Sequence, residues 1–249
     1  MNIIVLVKQV PDTEAKIRIA DDGNQIDEAS ISFIVNPYDE YAIEAALQLK
    51  EAHGGEITLV SLGPDGAIAA LRTGLAMGAD KAVLLKAENS RFMDSQAVAG
   101  QIGKVLEERQ FDLLLCGKKA VDTDSQQTGT LLAMNLGLPV ISSIIELNIE
   151  GNQITAKREV EGGTETVSCQ LPAVLTCEKG LNEPRYPNLR GIMMAKKKPI
   201  EEIAVDTADS LTNFKFENPP QKAEGRIVGE GVDAVPELAR LLREEAKVI

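Results

Sequence analysis

Apolar positions in the first 140 residues come as short unbroken runs separated by stretches in which they recur every three or four residues. That is the pattern of parallel strands alternating with amphipathic helices. Residues 2–9 predict a continuous apolar strand. Residues 16–20 and 30–35, joined through Asp21-Asp22-Gly23-Asn24, predict a hairpin inserted before the first helix. Pro37 suits the first position of a helix and pushes Asn36 into an extended, cap-like conformation. The helix that follows carries Ala42, Ala45, Ala46 and Leu49 on one stripe and stops at Gly54-Gly55. Next are expected a strand at 56–61, a helix opened by Pro64, a strand at 81–85, a helix capped by Asp94, a strand at 111–116 and a helix over 124–136.

From Val140 the apolar period changes to two. Residues 154–160 and 164–171, around Glu161-Gly162-Gly163, predict an antiparallel hairpin, and 173–177 a further strand, all on one edge of the same sheet. After Pro199 no strand pattern is sustained. Periodicity returns only at 236–246, with Leu238, Leu241 and Leu242. The expected fold is a single doubly wound, mostly parallel α/β domain with an antiparallel edge hairpin, residues 1–199. Residues 200–249 lack a core of their own and are expected to form an extended C-terminal arm laid on a partner.

Composition narrows the class. The 249 residues are 44% hydrophobic and 26% charged, as in an ordinary globular chain. The longest apolar stretches, such as 3–7 and 111–116, the latter interrupted by Asp112, fall short of the roughly 18 to 20 residues that span a bilayer. A formal charge of −12 argues against a general nucleic-acid or anionic-membrane surface. The N-terminus carries no basic or Arg-rich leader, so a cytoplasmic location is expected. Three cysteines without Cys-x-x-Cys spacing and one histidine, His53, predict neither a disulfide framework nor a metal site. Five Phe, three Tyr and no Trp leave few rings to stack a planar cofactor, so a flavin would need another chain.

The catalytic inventory is thin, because Gly-x-Gly-x-x-Gly, P-loop and His-Glu-x-x-His motifs are absent and no histidine stands ready to activate Cys116. What remains is the crevice that forms at strand C-termini where strand order reverses. Three loops converge there: Lys8 to Asp12, Ser61 to Pro64, and Gly117 to Ser125. Gly117 permits close backbone approach. Gln126, Gln127 and Thr128 are expected in a helix's first turn, suited either to an anion or simply to a cap in which Asp124 pairs with Gln127. Asp122 and Asp124 would repel a phosphate unless they turn away. A second cluster, Arg185, Arg190, Lys196, Lys197 and Lys198, surrounds an irregular loop; it is either a solvated charged face or a docking device.

Ala156-Lys157-Arg158-Glu159-Val160-Glu161-Gly162-Gly163-Thr164-Glu165-Thr166-Val167, followed by Leu171-Pro172-Ala173-Val174-Leu175-Thr176, closely resembles the signature of electron transfer flavoprotein β subunits. Val7-Lys8-Gln9-Val10-Pro11-Asp12, Asn36-Pro37-Tyr38, Gly63-Pro64, Leu75-Ala76-Met77-Gly78-Ala79-Asp80, Gln127-Thr128-Gly129 and Leu181-Asn182-Glu183-Pro184-Arg185-Tyr186 resemble family motifs in the family's order. The resemblance covers essentially the whole chain.

It implies a heterodimer with an α subunit that holds most of a redox FAD while the β chain lines one side of the flavin. It also implies a structural AMP in the β chain, with contacts falling on Leu6, Asn36, Pro37, Tyr38, Asp39, Leu62, Gly117, Lys118, Lys119, Ala120, Val121, Asp122, Thr123, Asp124, Ser125, Gln126, Gln127 and Thr128. Residues 177–199 resemble the loop that recognises acyl-CoA dehydrogenases of fatty acid oxidation, with Leu189 as anchor and Arg185, Tyr186, Arg190, Ile192, Lys196, Lys197 and Lys198 framing it. Glu159 occupies the position that pairs with an arginine of the α subunit. Such a chain is an electron carrier subunit rather than an enzyme, delivering to a membrane quinone oxidoreductase. Thr13 departs from relatives with a tyrosine near the flavin, which leaves Tyr38. Val7 to Thr13 and Asn36 to Tyr41 are also reminiscent of a subgroup in which a second FAD replaces AMP and NADH-dependent electron bifurcation occurs. Thr130, where that subgroup would have proline, and the 159–198 region resemble the simple carriers. A third reading is a stand-alone nucleotide-binding domain, against which the coreless arm argues.

Overall fold

A computed structural model describes residues 1–21, 23–206, 215–222 and 224–249. Asp22 of the expected turn, and 207–214 and 223 of the expected arm, lie outside the described residues. In chain order the first elements are β1 (Asn2–Leu6), β2 (Gln9–Pro11), β3 (Phe33–Val35), α1 (Pro37–His53), β4 (Glu56–Gly63), α2 (Ile68–Met77), β5 (Lys81–Lys86), α3 (Ser95–Leu106), β6 (Leu113–Gly117) and α4 (Thr128–Asn135). They are followed by β7 (Val140–Glu150), β8 (Gln153–Val160), β9 (Gly163–Gln170), β10 (Ala173–Cys177), α5 (Leu189–Ala195), β11 (Ile200–Ala204) and α6 (Val235–Glu244).

Among the described residues one nine-stranded sheet has the order β11-β5-β4-β1-β6-β10-β7-β8-β9. It is parallel from β11 to β7, and β8 and β9 continue it as an antiparallel hairpin. The apolar runs are unbroken because both faces are covered. Ile3, Val5, Ile57 and Leu59 point into a core shared with α1 and α2. Ile4, Leu6, Val60 and Leu114 point the other way, against α3 and α4. Each fully buried leucine here stabilises the fold by roughly 1.5–3 kcal/mol. The chain goes from β1 to β4 on one side, then returns from β5 to β6 on the other, so strand order reverses at β1. The crevice lies above the C-termini of β1, β4 and β6.

Several expectations are corrected. The early hairpin is built from β2 and β3, while 16–20 contributes only an isolated bridge from Ile19 to Ile26. The predicted strand at 173–177 sits inside the sheet, between β6 and β7, and all five of its residues are buried. Helix α4 begins at Thr128 rather than near Asp124, because Asp124 and Gln126 hold positive φ of 53° and 55°. No strand was expected after Pro199, yet β11 pairs in register with β5. The chain divides into two compact units, Met1–Lys215 and Phe216–Ile249. Within the second unit α6 has no buried residue, and Arg240 bridges Glu237 and Glu244 along one of its faces.

Among the described residues no helix is long and apolar enough to cross a membrane.

Candidate functional site

The crevice is organised by the first turn of α1. Asn36 ends β3's extension, and Pro37, which needs no N–H partner, starts the helix. Asn36 is 1% exposed and spends both ends of its amide on the 117–127 loop: Nδ2 donates to the Lys119 carbonyl at 2.8 Å, and Oδ1 accepts the Val121 N–H at 3.1 Å. Asp39 sits one turn on. Its Oδ2 accepts the Lys8 N–H at 2.7 Å and its Oδ1 the Gly117 N–H at 3.0 Å. Two side chains of one helical turn thus tie the loop after β1 to the loop after β6.

Burial pushes the Asp39 carboxyl up to about 7, against the lowering effect of the Lys8 N–H, the Asn36 side chain and the Gly117 N–H. Burial likewise raises the thiols of Cys116 and Cys177, which makes them neutral core groups rather than nucleophiles. The Tyr38 ring is flanked by the ammonium groups of Lys118 and Lys119, 5.6 and 5.7 Å from its centroid.

Gly117 does permit a close approach, but to this chain's own helix. A Cβ there would fall 2.5 Å from Asp39 Oδ1 and 2.6 Å from Tyr38 Cβ. Gly129, in the first turn of α4, is equally confined: its Cβ would fall 2.7 Å from Cys116 Sγ and 2.8 Å from Thr176 Cγ2. The start of α4 therefore lies directly on the strand ends. Its first intrahelical bond runs from the Leu131 N–H to the Gln127 carbonyl, and no side chain caps it. The N–H groups of Thr128, Gly129 and Thr130, in the first turn, have no intrahelical acceptor. Leu6, 8% exposed, and half-buried Leu62 lie on this same α3/α4 side of the sheet.

The expected capping pair of Asp124 and Gln127 does not form. Instead Asp124 accepts from Lys119 Nζ at 2.9 Å, and Asp122 pairs with Lys8 Nζ at 2.6 Å. Both acids that would oppose an anion are thereby matched by cations. Lys118 pairs with Glu178, and Ser125 Oγ accepts from Ser95 Oγ at 3.1 Å. Lys8, Gly129 and Thr176 lay in the loop and motifs read from sequence without a role of their own; Ser95 and Glu178 were missed, since they are defined only by tertiary packing.

The second cluster divides. Tyr186, 95% exposed, and Leu189, 77% exposed, stand out with Ile192, Met193 and Met194 on and before α5, which Asn188 caps through the Gly191 N–H. The helix begins at Leu189 and ends at Ala195. Arg190, Lys196 and Lys197 are exposed; Arg185 is exposed too but ion-paired to Glu44 and Glu51 of α1, and Lys198 is half-buried. Lys198 Nζ donates to the Leu75 and Ala79 carbonyls at the end of α2, and Arg72 Nη1 donates back to the Ala195 and Lys198 carbonyls. Glu159 is exposed near the end of β8 and has no ion pair among the described residues.

Residues 23–208 match the family described as "Electron transfer flavoprotein domain". Over the whole of both chains, the sequence is 44% identical to an electron transfer flavoprotein subunit beta of Bacillus subtilis and 43% identical to one of Bradyrhizobium diazoefficiens. It is 37% identical to that of Bos taurus over 98% of each chain. The chain belongs to the electron transfer flavoprotein family, as a β subunit.

Proposed function

We propose that this chain pairs with an electron transfer flavoprotein α subunit to form a soluble, cytoplasmic electron carrier. The heterodimer takes electrons from acyl-CoA and related flavin dehydrogenases and delivers them to a membrane quinone oxidoreductase. The β chain is a carrier subunit without an acid or base of its own, and FAD, when bound between the subunits, supplies the one- and two-electron chemistry. Tyr38 is the ring this chain offers at the crevice, and exposed Glu159 is free to meet an arginine of the α subunit.

The crevice is assigned to a structural AMP. Leu6 and Leu62 would flank the base, and the N–H groups of Thr128, Gly129 and Thr130 would hold the phosphate. The observation that carries this reading is the neutralisation of the loop's acids, Asp122 by Lys8 and Asp124 by Lys119. Without those pairs two carboxylates would repel the anion that the free helix amides attract. Asn36 and Asp39 serve the same site indirectly, by holding the loop through its backbone.

Leu189, exposed at the start of a capped helix with Arg190, Lys196 and Lys197 around it, is assigned as the dehydrogenase anchor. The arm from Phe216 onward, with Val235 and Leu238 exposed on α6, is assigned to the α subunit.

Co-expression with the α subunit, heat release and quantification of nucleotides per heterodimer test the assignment. One FAD and one AMP are expected. Two FAD and no AMP would move the chain to the bifurcating form, and no nucleotide beyond the shared FAD would remove the crevice assignment.

A further inference from the structure

Arg185 leads into the exposed segment, yet its charge is spent on its own fold. Its Nε and Nη2 donate to the two carboxylate oxygens of Glu44 at 2.7 and 2.9 Å, its backbone N–H adds a bond to Glu44 Oε2 at 3.2 Å, and Nη1 donates to Glu51 Oε1 at 2.6 Å. Glu44 is 3% exposed on α1 and also receives Gln48 Nε2 at 3.0 Å. Burial pushes the Glu44 carboxyl up, but the bonds from Arg185 and Gln48 outweigh it and hold the group below the ordinary carboxylate range. A buried carboxylate with a two-pronged cation has one accepted orientation of that cation. Three residues earlier, Asn182 Nδ2 donates to the Tyr41 carbonyl of the same helix at 2.9 Å. The exposed stretch from Tyr186 to Met194 thus leaves one fixed point on α1 and re-enters at a second on α2, where Arg72 and Lys198 exchange bonds with carbonyls.

We propose that Arg185 is a positioning residue for partner recognition: clamped on Glu44 and Glu51, it fixes the entry of the Tyr186 to Met194 segment so that Leu189 is presented preformed, and it does not itself meet the dehydrogenase. This rests on the reading of Leu189 as the anchor. A preformed segment avoids paying its ordering entropy at the moment of docking. A cation already matched by two carboxylates of its own chain has no positive charge left to offer a partner, so the electrostatic attraction falls to Arg190, Lys196 and Lys197.

The test uses the co-expressed heterodimer and an acyl-CoA dehydrogenase reduced by octanoyl-CoA, with electron acceptance followed across a range of ionic strength. Arg185→Gln is expected to raise the KM for the dehydrogenase about tenfold, the order of the ordering cost of one or two immobilised side chains. It should leave kcat and FAD content unchanged and keep the wild-type slope of log(kcat/KM) against log salt. Amide hydrogen exchange over 186–195 should accelerate, and Arg185→Lys should restore only part of the loss. Lys197→Gln, by contrast, should flatten the salt slope. Because Arg185→Gln leaves a buried carboxylate unmatched, Glu51→Gln on the exposed prong is the second variant, with a smaller KM increase of the same kind expected. A flattened salt slope in Arg185→Gln would make it a contact residue and overturn the proposal. So would unchanged KM and exchange in both Arg185→Gln and Glu51→Gln while Leu189→Ala is impaired. If Leu189→Ala also reacts as wild type, the docking reading fails and this inference with it.

Discussion

Asp39 Oδ1 accepts the Gly117 N–H at 3.0 Å, and a Cβ at Gly117 would fall 2.5 Å from that same oxygen. The bond and the missing side chain are therefore one requirement. Gly117→Ala is expected to push Asp39 and Tyr38 away, cost about 1–3 kcal/mol as other overpacked positions do, and lower AMP retention. Thermal unfolding and nucleotide content of the purified heterodimer measure both. Wild-type retention would show that the loop closes without this contact.

Asp39 also makes stability depend on pH. Its folded-state value of about 7 lies above the ordinary 3.8, so the folded chain binds more protons than the unfolded chain between those limits. Its contribution is complete below 3.8, declines as pH rises to about 7, and is flat above. The decline is on the order of a few kcal/mol if each unit of separation counts for about 1.4 kcal/mol. In Asp39→Asn this slope should disappear from denaturant midpoints collected across the window; persistence of the full slope would assign it to another group.

Lys8 is the cation that neutralises Asp122 in the nucleotide loop. Lys8→Met leaves that carboxylate facing the proposed phosphate position. Retention of AMP is expected to fall about threefold to tenfold, the order that one unit charge exerts across a partly solvated gap, with recovery in Lys8→Met/Asp122→Asn. Failure of the second substitution to restore retention would separate Lys8 from the charge argument.

Helix α6 exposes Val235 and Leu238, with no buried residue of its own. Leu238→Asp is expected to weaken association with the α subunit at least about tenfold, as loss of a central apolar anchor does, while leaving the first unit folded. Size-exclusion chromatography of the co-expressed pair at falling concentration reads this directly; an unaltered dimer would detach the arm from the interface.

The alternation of strands and helices through α4 was legible because parallel strands are covered on both faces and read as unbroken apolar runs such as Ile3 to Val7. Strand β11 was not, since its Ile-Glu-Glu-Ile-Ala pattern carries the charges that sheet edges use against further pairing. The start of α4 was misread because positive φ at Asp124 and Gln126 has no composition signal. In β7 a shift of register and φ of 56° at Ser143, whose N–H reaches Thr176 Oγ1 at 2.8 Å, break the period-two rule that the sequence suggested. The site loops were found by topology and by resemblance. Which of their polar groups face a ligand and which are consumed internally, as with Asn36, Arg185 and Lys198, depends on partners more than 80 residues away in the chain.

Asp39 and Glu44 stand five positions apart on α1, about 7.5 Å along its axis at the usual rise. The first fastens the nucleotide loop and the second fastens the segment leading to Leu189. The helix is thus a common beam for two tenants, and any substitution that tilts it is pleiotropic by construction: cofactor retention and donor choice would drift together, and neither could be tuned through α1 without disturbing the other.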